Sequence, residues 1–289
     1  MTMNRREFAR ILSGIALVPL ARLSATDATP ALPRIGVQTT LARAAEVKVA
    51  GGDFIAESVA GLIQPDAGED VFTLALQRVR EAGLPIYACN YFIGRRDLRC
   101  TGPDASHDAV LAYATRAFAR AQRLGVRVIV FGSSASRSIP EGFEEARARD
   151  QFATLLAALG PRARDHDVKL AVESLQSREC NFLTKIRDVA DVVQRADHSN
   201  IRITADLYHM VAEQETPDDL RAVLPWLAHL ELAEVQGRRL PQPNGQDFRP
   251  FFKVLKTAGY SGAVCFEGRF ESEELTRGLA LLRQQWTDA

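Results

Sequence analysis

The chain has 289 residues, 46% of them hydrophobic and 25% charged, with 36 basic and 36 acidic side chains and a formal net charge of zero. That composition describes a soluble globular protein with enough apolar residues for a large core. The charge balance gives no general attraction to nucleic acid or anionic membrane, and no basic stripe with interleaved aromatics marks a nucleic-acid reader.

In chain order, Asn4-Arg5-Arg6-Glu7-Phe8-Ala9-Arg10 precedes the apolar run Ile11 to Ala21. A basic start, a short apolar core and small residues after it describe an export signal. The paired arginines followed by Phe8 resemble a twin-arginine signal, with Asn4 and Ala9 departing from its usual pattern. The alternative is an amphipathic N-terminal helix of the fold. The run is shorter than the ~20 apolar residues of a spanning helix, so no stable membrane insertion is expected once the signal is gone. Cleavage after Ala25 and after Ala28 both fit. Residues 1–28 are thus expected to be signal and short leader, and 29–289 one catalytic domain, periplasmic on this reading and cytoplasmic if the signal is misread. Four cysteines (Cys89, Cys100, Cys180, Cys265) match no zinc spacing. Periplasmic disulfides and free core thiols both remain open.

Arg34 to Thr39 and Phe54 to Val59 read as the first two strands. Helical spacing over Val71 to Ala82 stops at Gly83, and Leu84 to Asn90 is strand three. A long helix from His107 to Leu124 closes at Gly125 before strand four, Arg127 to Phe131. A helix over Glu144 to His166 contains Pro161, which breaks it or starts a new turn. Val168 to Glu173 is strand five, Leu183 to Ala196 a helix, Ile201 to Asp206 strand six, and Asp218 to Leu224 a short helix. Leu227 to Leu232 is strand seven, Phe248 to Ala258 a helix, Ala263 to Phe266 strand eight, and Ser272 to Trp286 the last helix. Alternating strands and helices imply parallel βαβ units. Eight repeats fit an α/β fold of the (β/α)8 TIM-barrel type in one domain. An open doubly wound sheet is the alternative, but no Gly-x-Gly-x-x-Gly turn follows the first strand.

In such a barrel the active site lies at the C-terminal strand ends. Four of those ends carry an acid: Glu173, Asp206, Glu231 and Glu267. Each alone reads equally as a helix cap or first-turn charge. Together they would repel unless a divalent cation binds, and all-oxygen ligation favours Mn²⁺ or Mg²⁺ over Zn²⁺. His229 alternates with Glu231 on strand seven and points to the same side. His209 follows Asp206 closely, Glu179 lies beyond Glu173, and Arg238 stands past strand seven, where it could clamp an oxygen-rich substrate. Their ordinary readings are a satisfied loop histidine and surface charges. Glu57, Asn90 and Ser133 sit on other strand ends; Tyr91, Phe92 and Tyr208 read as pocket walls or core; His107 reads as surface or capping.

Glu173 with Glu179, Asp206-x-x-His209, His229-x-Glu231-x-Ala233 with Arg238, and Glu267 resemble the xylose-isomerase-like sugar isomerase/epimerase superfamily over roughly residues 34 to 286. In its tagatose/psicose epimerases, the acids on strands five, six and eight bind one divalent metal, and the strand-five and strand-eight glutamates exchange the proton. Their strand-seven ligand is the second histidine of His-x-His; the hydroxypyruvate-isomerase branch has His-x-Gln-x-Ala. This chain has Glu231 there, either as a fourth ligand or with His229 or water filling the place. The resemblance therefore implies metal ligands Glu173, Asp206, Glu231 and Glu267 around one Mn²⁺ or Mg²⁺. It implies proton transfer by Glu173 and Glu267, and substrate contacts from Glu179, His209, Arg238 and His229. The expected partner is a non-phosphorylated sugar or small hydroxy-carbonyl compound, isomerised or epimerised through an enediolate; self-association is left open. A lyase or hydrolase of keto-glycosides on the same site is the second reading, and a non-catalytic sugar-binding protein the third. Only five histidines argue against a trinuclear zinc nuclease.

Overall fold

The computed structural model describes residues 32–289, so the expected signal and leader lie outside the described residues. Eight parallel strands close into a barrel in chain order, β1 pairing with β8. They are β1 Ile35–Gln38, β2 Phe54–Ser58, β3 Ile86–Asn90, β4 Val128–Phe131, β5 Lys169–Glu173, β6 Ile201–Asp206, β7 Leu227–Leu232 and β8 Ala263–Phe266. All eight expected strands are present, and closure removes the open-sheet alternative.

Ten α-helices accompany them among the described residues: α1 Ala44–Val49, α2 Glu69–Glu81, α3 His107–Leu124, α4 Ser134–Arg137, α5 Glu145–Asp165, α6 Ile186–Ala196, α7 Leu207–Ala212, α8 Pro217–Val223, α9 Arg249–Thr257 and α10 Ser272–Thr287. Helix α6 shows why they form. Ile186, Val189, Ala190, Val193 and Ala196 recur at three- and four-residue spacing and are all buried, so one stripe covers the sheet. Asp197 ends it in the left-handed conformation. A charged residue at Val193 would place an unpaired charge under the helix.

Pro161 does not break α5, which runs through it. The ring leaves only the Ala157 carbonyl without its helical donor. Leu155, Leu156, Leu159 and Ala163, all buried on either side, hold the helix on the sheet. Helix α6 begins three residues later than its apolar pattern suggests, because Leu183 adopts a positive φ of 56°. All four cysteines are buried free thiols.

Side chains alternate between two cores. The outer one joins strands to helices. The inner one fills the barrel with Phe54, Ala56, Ala88, Val128, Val130, Ala171, Ala263 and Cys265. Most of these are small because Phe54 occupies the base: a Cβ on Gly36 would lie 2.1 Å from its ring. Inward positions two residues beyond Ala171, Ala88 and Cys265 are Glu173, Asn90 and Glu267, so the apolar plug carries polar groups at its upper end.

Candidate active site

The strand ends bring the four acids together. Glu173 closes β5, Asp206 closes β6, Glu231 lies on β7 and Glu267 follows β8. Strand register sets Asp206 beside Glu231, and Glu231 beside Cys265, two residues before Glu267. Asp206 and Glu231 are 0% exposed, Glu267 4% and Glu173 5%. Ligand oxygens of Glu173, Glu231 and Glu267 lie within 4.8 Å of one another. Gly132, after β4, makes room for this: a Cβ there would stand 1.8 Å from Glu173 Oε2.

Burial pushes the Glu173 carboxyl well above the usual range, and the charges of Glu231, Glu267 and Asp206 add to it. Glu267 is raised by burial and then by Glu231 and Asp206. Asp206 is pushed up to about 7, by burial first and Glu231 second. The acids are thus short of positive charge. Asp206 Oδ1 accepts the Tyr208 amide at 2.9 Å, which starts α7. Asp206 Oδ2 and Glu231 Oε2 are buried without a hydrogen-bond donor among the described residues. Unpaired buried carboxylate oxygens are costly, and a bound cation would satisfy them. The all-oxygen set fits a hard divalent ion.

His209 Nδ1 accepts the Gln176 amide at 3.2 Å. That bond assigns the ring proton to Nε2, which lies 3.6 Å from both Glu173 Oε1 and Asp206 Oδ2. Burial, then Arg238 and Arg137, push the imidazole down to about 3, so it is neutral. Neutral His209 therefore presents an N–H donor to the site rather than a ligand lone pair.

Arg238 stands over the acids. Its Nη2 is 3.4 Å from Glu267 Oε1 and 3.9 Å from Asp206 Oδ2, and its Nη1 is 3.9 Å from Glu179 Oε1. The guanidinium lies 4.6 Å over the Tyr208 ring. Its backbone is left-handed, φ 46°, and its carbonyl accepts the Arg269 amide at 2.7 Å, where a Cβ on Gly268 would collide. Buried Glu234 ties this loop by accepting the Gln242 and Gln246 amides. Glu179, held by Gln176 Nε2 at 2.8 Å, stands at the rim.

The pocket above is lined by Tyr91, Leu175, Glu179, His209, Arg238 and the two glutamates Glu173 and Glu267, among others. A larger crevice between Gln246, Asp247 and Gln285 gathers no buried acids.

His229 is fully buried on the inward face below Glu231, with Nε2 3.5 Å from Glu231 Oε1 and its ring 5.9 Å from that of Tyr87. It is not among the side chains lining the pocket. Among the lesser candidates, Asn90 reaches across the barrel and donates to Glu231 Oε1 at 2.7 Å. Glu57 instead accepts the Leu41 amide at 2.8 Å, and Ser133 accepts the Ile93 amide. Phe92 stacks on Phe118 in the core, whereas Tyr91 lines the pocket. His107 lies 3.1 Å from the Cys100 carbonyl, away from the strand tips. Sequence reasoning missed Gln176 and Arg137. Arg137 is fully buried and donates to the Phe131 carbonyl at 2.9 Å. Nothing in Ser134-Ala-Ser-Arg137 distinguishes it from a surface arginine.

The chain is similar to a mouse protein provisionally named hydroxypyruvate isomerase, 27% identical over 158 residues, which are 51% of this chain and 56% of that protein. It is 28% identical over 131 residues to a ketose 3-epimerase of Arthrobacter globiformis, covering 44% and 45% of the two chains. It therefore spans about half the length of these relatives. A solved D-psicose 3-epimerase superposes with a TM-score of 0.77 at 17% identity, covering 88% of this chain and 99% of that one. A 3-keto-D-glucoside 4-epimerase from E. coli gives 0.74 at 19%, covering 87% and 99%. At that identity the likeness shows the fold alone. A family model described as xylose isomerase-like TIM barrel matches residues 41–285, and the chain belongs to that family.

Proposed function

We propose that the protein is a divalent-metal-dependent isomerase or epimerase of a non-phosphorylated sugar or small hydroxy-carbonyl compound. The observation that carries this is the set of four buried carboxylates on consecutive strand ends, two of them with a donorless oxygen. Glu173, Asp206, Glu231 and Glu267 would hold Mn²⁺ or Mg²⁺. When bound, such an ion polarises a carbonyl and stabilises negative charge that develops on its oxygen.

The chain's own groups do the rest. Glu173 and Glu267 are both raised by burial first and by neighbouring carboxylates second, which makes them stronger bases than free carboxylates. One of them would take a proton from the carbon beside the carbonyl, and the other would return a proton, to the opposite face of that carbon or to its neighbour. His209 donates Nε2–H to a substrate oxygen. Arg238 and Glu179 hold hydroxyls at the rim, and Tyr91 and Leu175 narrow the pocket against water. The names of the relatives, isomerases and 3-epimerases of ketoses and small keto compounds, support this reading.

The test is incubation of the Mn²⁺-loaded protein with ketoses, small hydroxy-keto compounds and keto-glycosides in D₂O. Deuterium entering carbon without bond cleavage is expected. Fragment release would instead establish the lyase reading, and no exchange across the panel would leave a sugar-binding protein. We further propose that residues 1–28 export the barrel, 29–289, to the periplasm. Fractionation of the full chain and its Arg5→Lys, Arg6→Lys variant tests this; equal distribution of the two refutes it. No helix among the described residues is long and apolar enough to cross a membrane.

A further inference from the structure

Below the acids, the inward face of β7 and β8 carries a second donor set of different chemistry. His229 and Cys265 each lie two residues before the acid of their strand, Glu231 and Glu267. His229 is 0% exposed, and neither of its ring nitrogens has a hydrogen-bond partner among the described residues. Cys265 is 0% exposed, and its Sγ makes a long 3.6 Å contact to the Phe266 carbonyl. A buried imidazole with both nitrogens unsatisfied calls for a partner, whether proton acceptor, water or ion. One ligand atom each from His229, Glu231 and Cys265 lies within 4.8 Å of the others.

We propose that His229, Cys265 and Glu231 form a second metal site, selective for Zn²⁺, beneath the hard-ion site. The ligand types decide the metal: thiolate and imidazole with one carboxylate suit zinc, whereas oxygen-only sets suit Mg²⁺ and Mn²⁺. The geometry agrees. His229 Nε2 and Glu231 Oε1 are 3.5 Å apart, and two ligands about 2.0–2.1 Å from a tetrahedral ion stand about 3.4 Å apart. Cys265 Sγ, within 4.8 Å of both, closes the third corner after a shift of about 1.3 Å or less. Binding releases the Cys265 thiol proton to solvent, because zinc takes the thiolate. Glu231 is then shared: Oε1, which also accepts from Asn90, faces the deep ion, and Oε2 is left for the upper one. This gives strand seven a reason to carry a carboxylate, since a bridging ligand needs two oxygens. The deep site does not depend on the catalytic reading.

The experiment is titration of the metal-stripped protein with Co²⁺, followed by visible and near-ultraviolet absorption, with zinc content of the untreated protein measured in parallel. The wild type should take two equivalents, one of them producing a thiolate-to-cobalt charge-transfer band. Cys265→Ser should lose that band and keep one equivalent, and His229→Gln, which retains the thiol, should weaken the band's Co²⁺ affinity at least tenfold. Asp206→Asn should keep the band and lose the other equivalent. One equivalent with the band in the wild type supports the deep site and removes the upper one. Absence of the band in the wild type, or its persistence in Cys265→Ser, overturns the proposal.

Discussion

Strands β1–β4 and β5–β8 share one inner core of small apolar side chains and differ at their tips. The first four end in Gln38, Glu57-Ser58, Asn90 and Phe131-Gly132; the last four bring Glu173, Asp206, Glu231 and Glu267. The one acid in the first half, Glu57, accepts the Leu41 amide and so serves the backbone. In the second half two buried acids keep an oxygen with no donor. Burial alone therefore does not mark a reactive carboxylate here, nor does an oxygen without a donor, since Glu215 Oε2 outside the mouth lacks one too; convergence with other buried acids does. The first half contributes through neutral groups, Asn90 holding Glu231 and Gly132 clearing space for Glu173.

The sharpest way to break this contrast is to neutralise one acid in each half. Glu173→Gln should lower turnover by about 10²–10⁴-fold, the usual worth of a positioned acid or base, with the thermal midpoint little changed. If Glu57→Gln lowers turnover as much, the division between the halves is wrong. A smaller effect is expected where the halves meet. Asn90→Ala frees Glu231 Oε1 and should weaken metal binding by roughly 10–100-fold, as loss of an outer hydrogen bond to a ligand does; calorimetric titration with Mn²⁺ reads it.

Glu215 offers a control outside the barrel mouth. It is a mostly buried acid that accepts the Ile186 amide at 2.9 Å, and burial pushes it up to about 7. A carboxyl raised in the folded state stabilises the fold below its unfolded value, near 4.5, and that contribution disappears as pH rises through 7. Glu215→Gln should therefore unfold like the wild type near pH 4.5 and gain about 1–2 kcal/mol on it by pH 8, as denaturant titrations would show. An equal difference at both values would mean that this acid titrates alike in the folded and unfolded chain, so that burial in this fold does not hold it protonated. The smallest effect is expected from Glu57→Gln on stability, about 1 kcal/mol for one weakened hydrogen bond.

The barrel was legible because its strands are apolar runs of four to six residues, and all but β1 are preceded or followed by a helix long enough to show its period. The site acids were legible because a carboxylate closing such a run has no packing role. Helices α1, α4 and α7, of four to six residues, were not, since they are too short to show an apolar period. Neither was the Asn90–Glu231 bond, which spans 141 positions. Arg137 was hidden for another reason: an arginine six residues past a strand reads as surface, whereas here it is fully buried and donates back to the Phe131 carbonyl that ends β4. His229 shows the limit of strand parity, which gives the side a residue faces but not its depth along the barrel.

The proposal that the four acids hold one hard divalent ion is tested by adding Mn²⁺ to the metal-stripped protein while following the free-ion signal by electron paramagnetic resonance. The wild type should remove that signal saturably at one equivalent, and Asp206→Asn should bind more weakly by more than the ~10–100-fold of a lost hydrogen bond to a ligand. A wild-type signal that never falls below that of free Mn²⁺, or equal binding by Asp206→Asn, would contradict it.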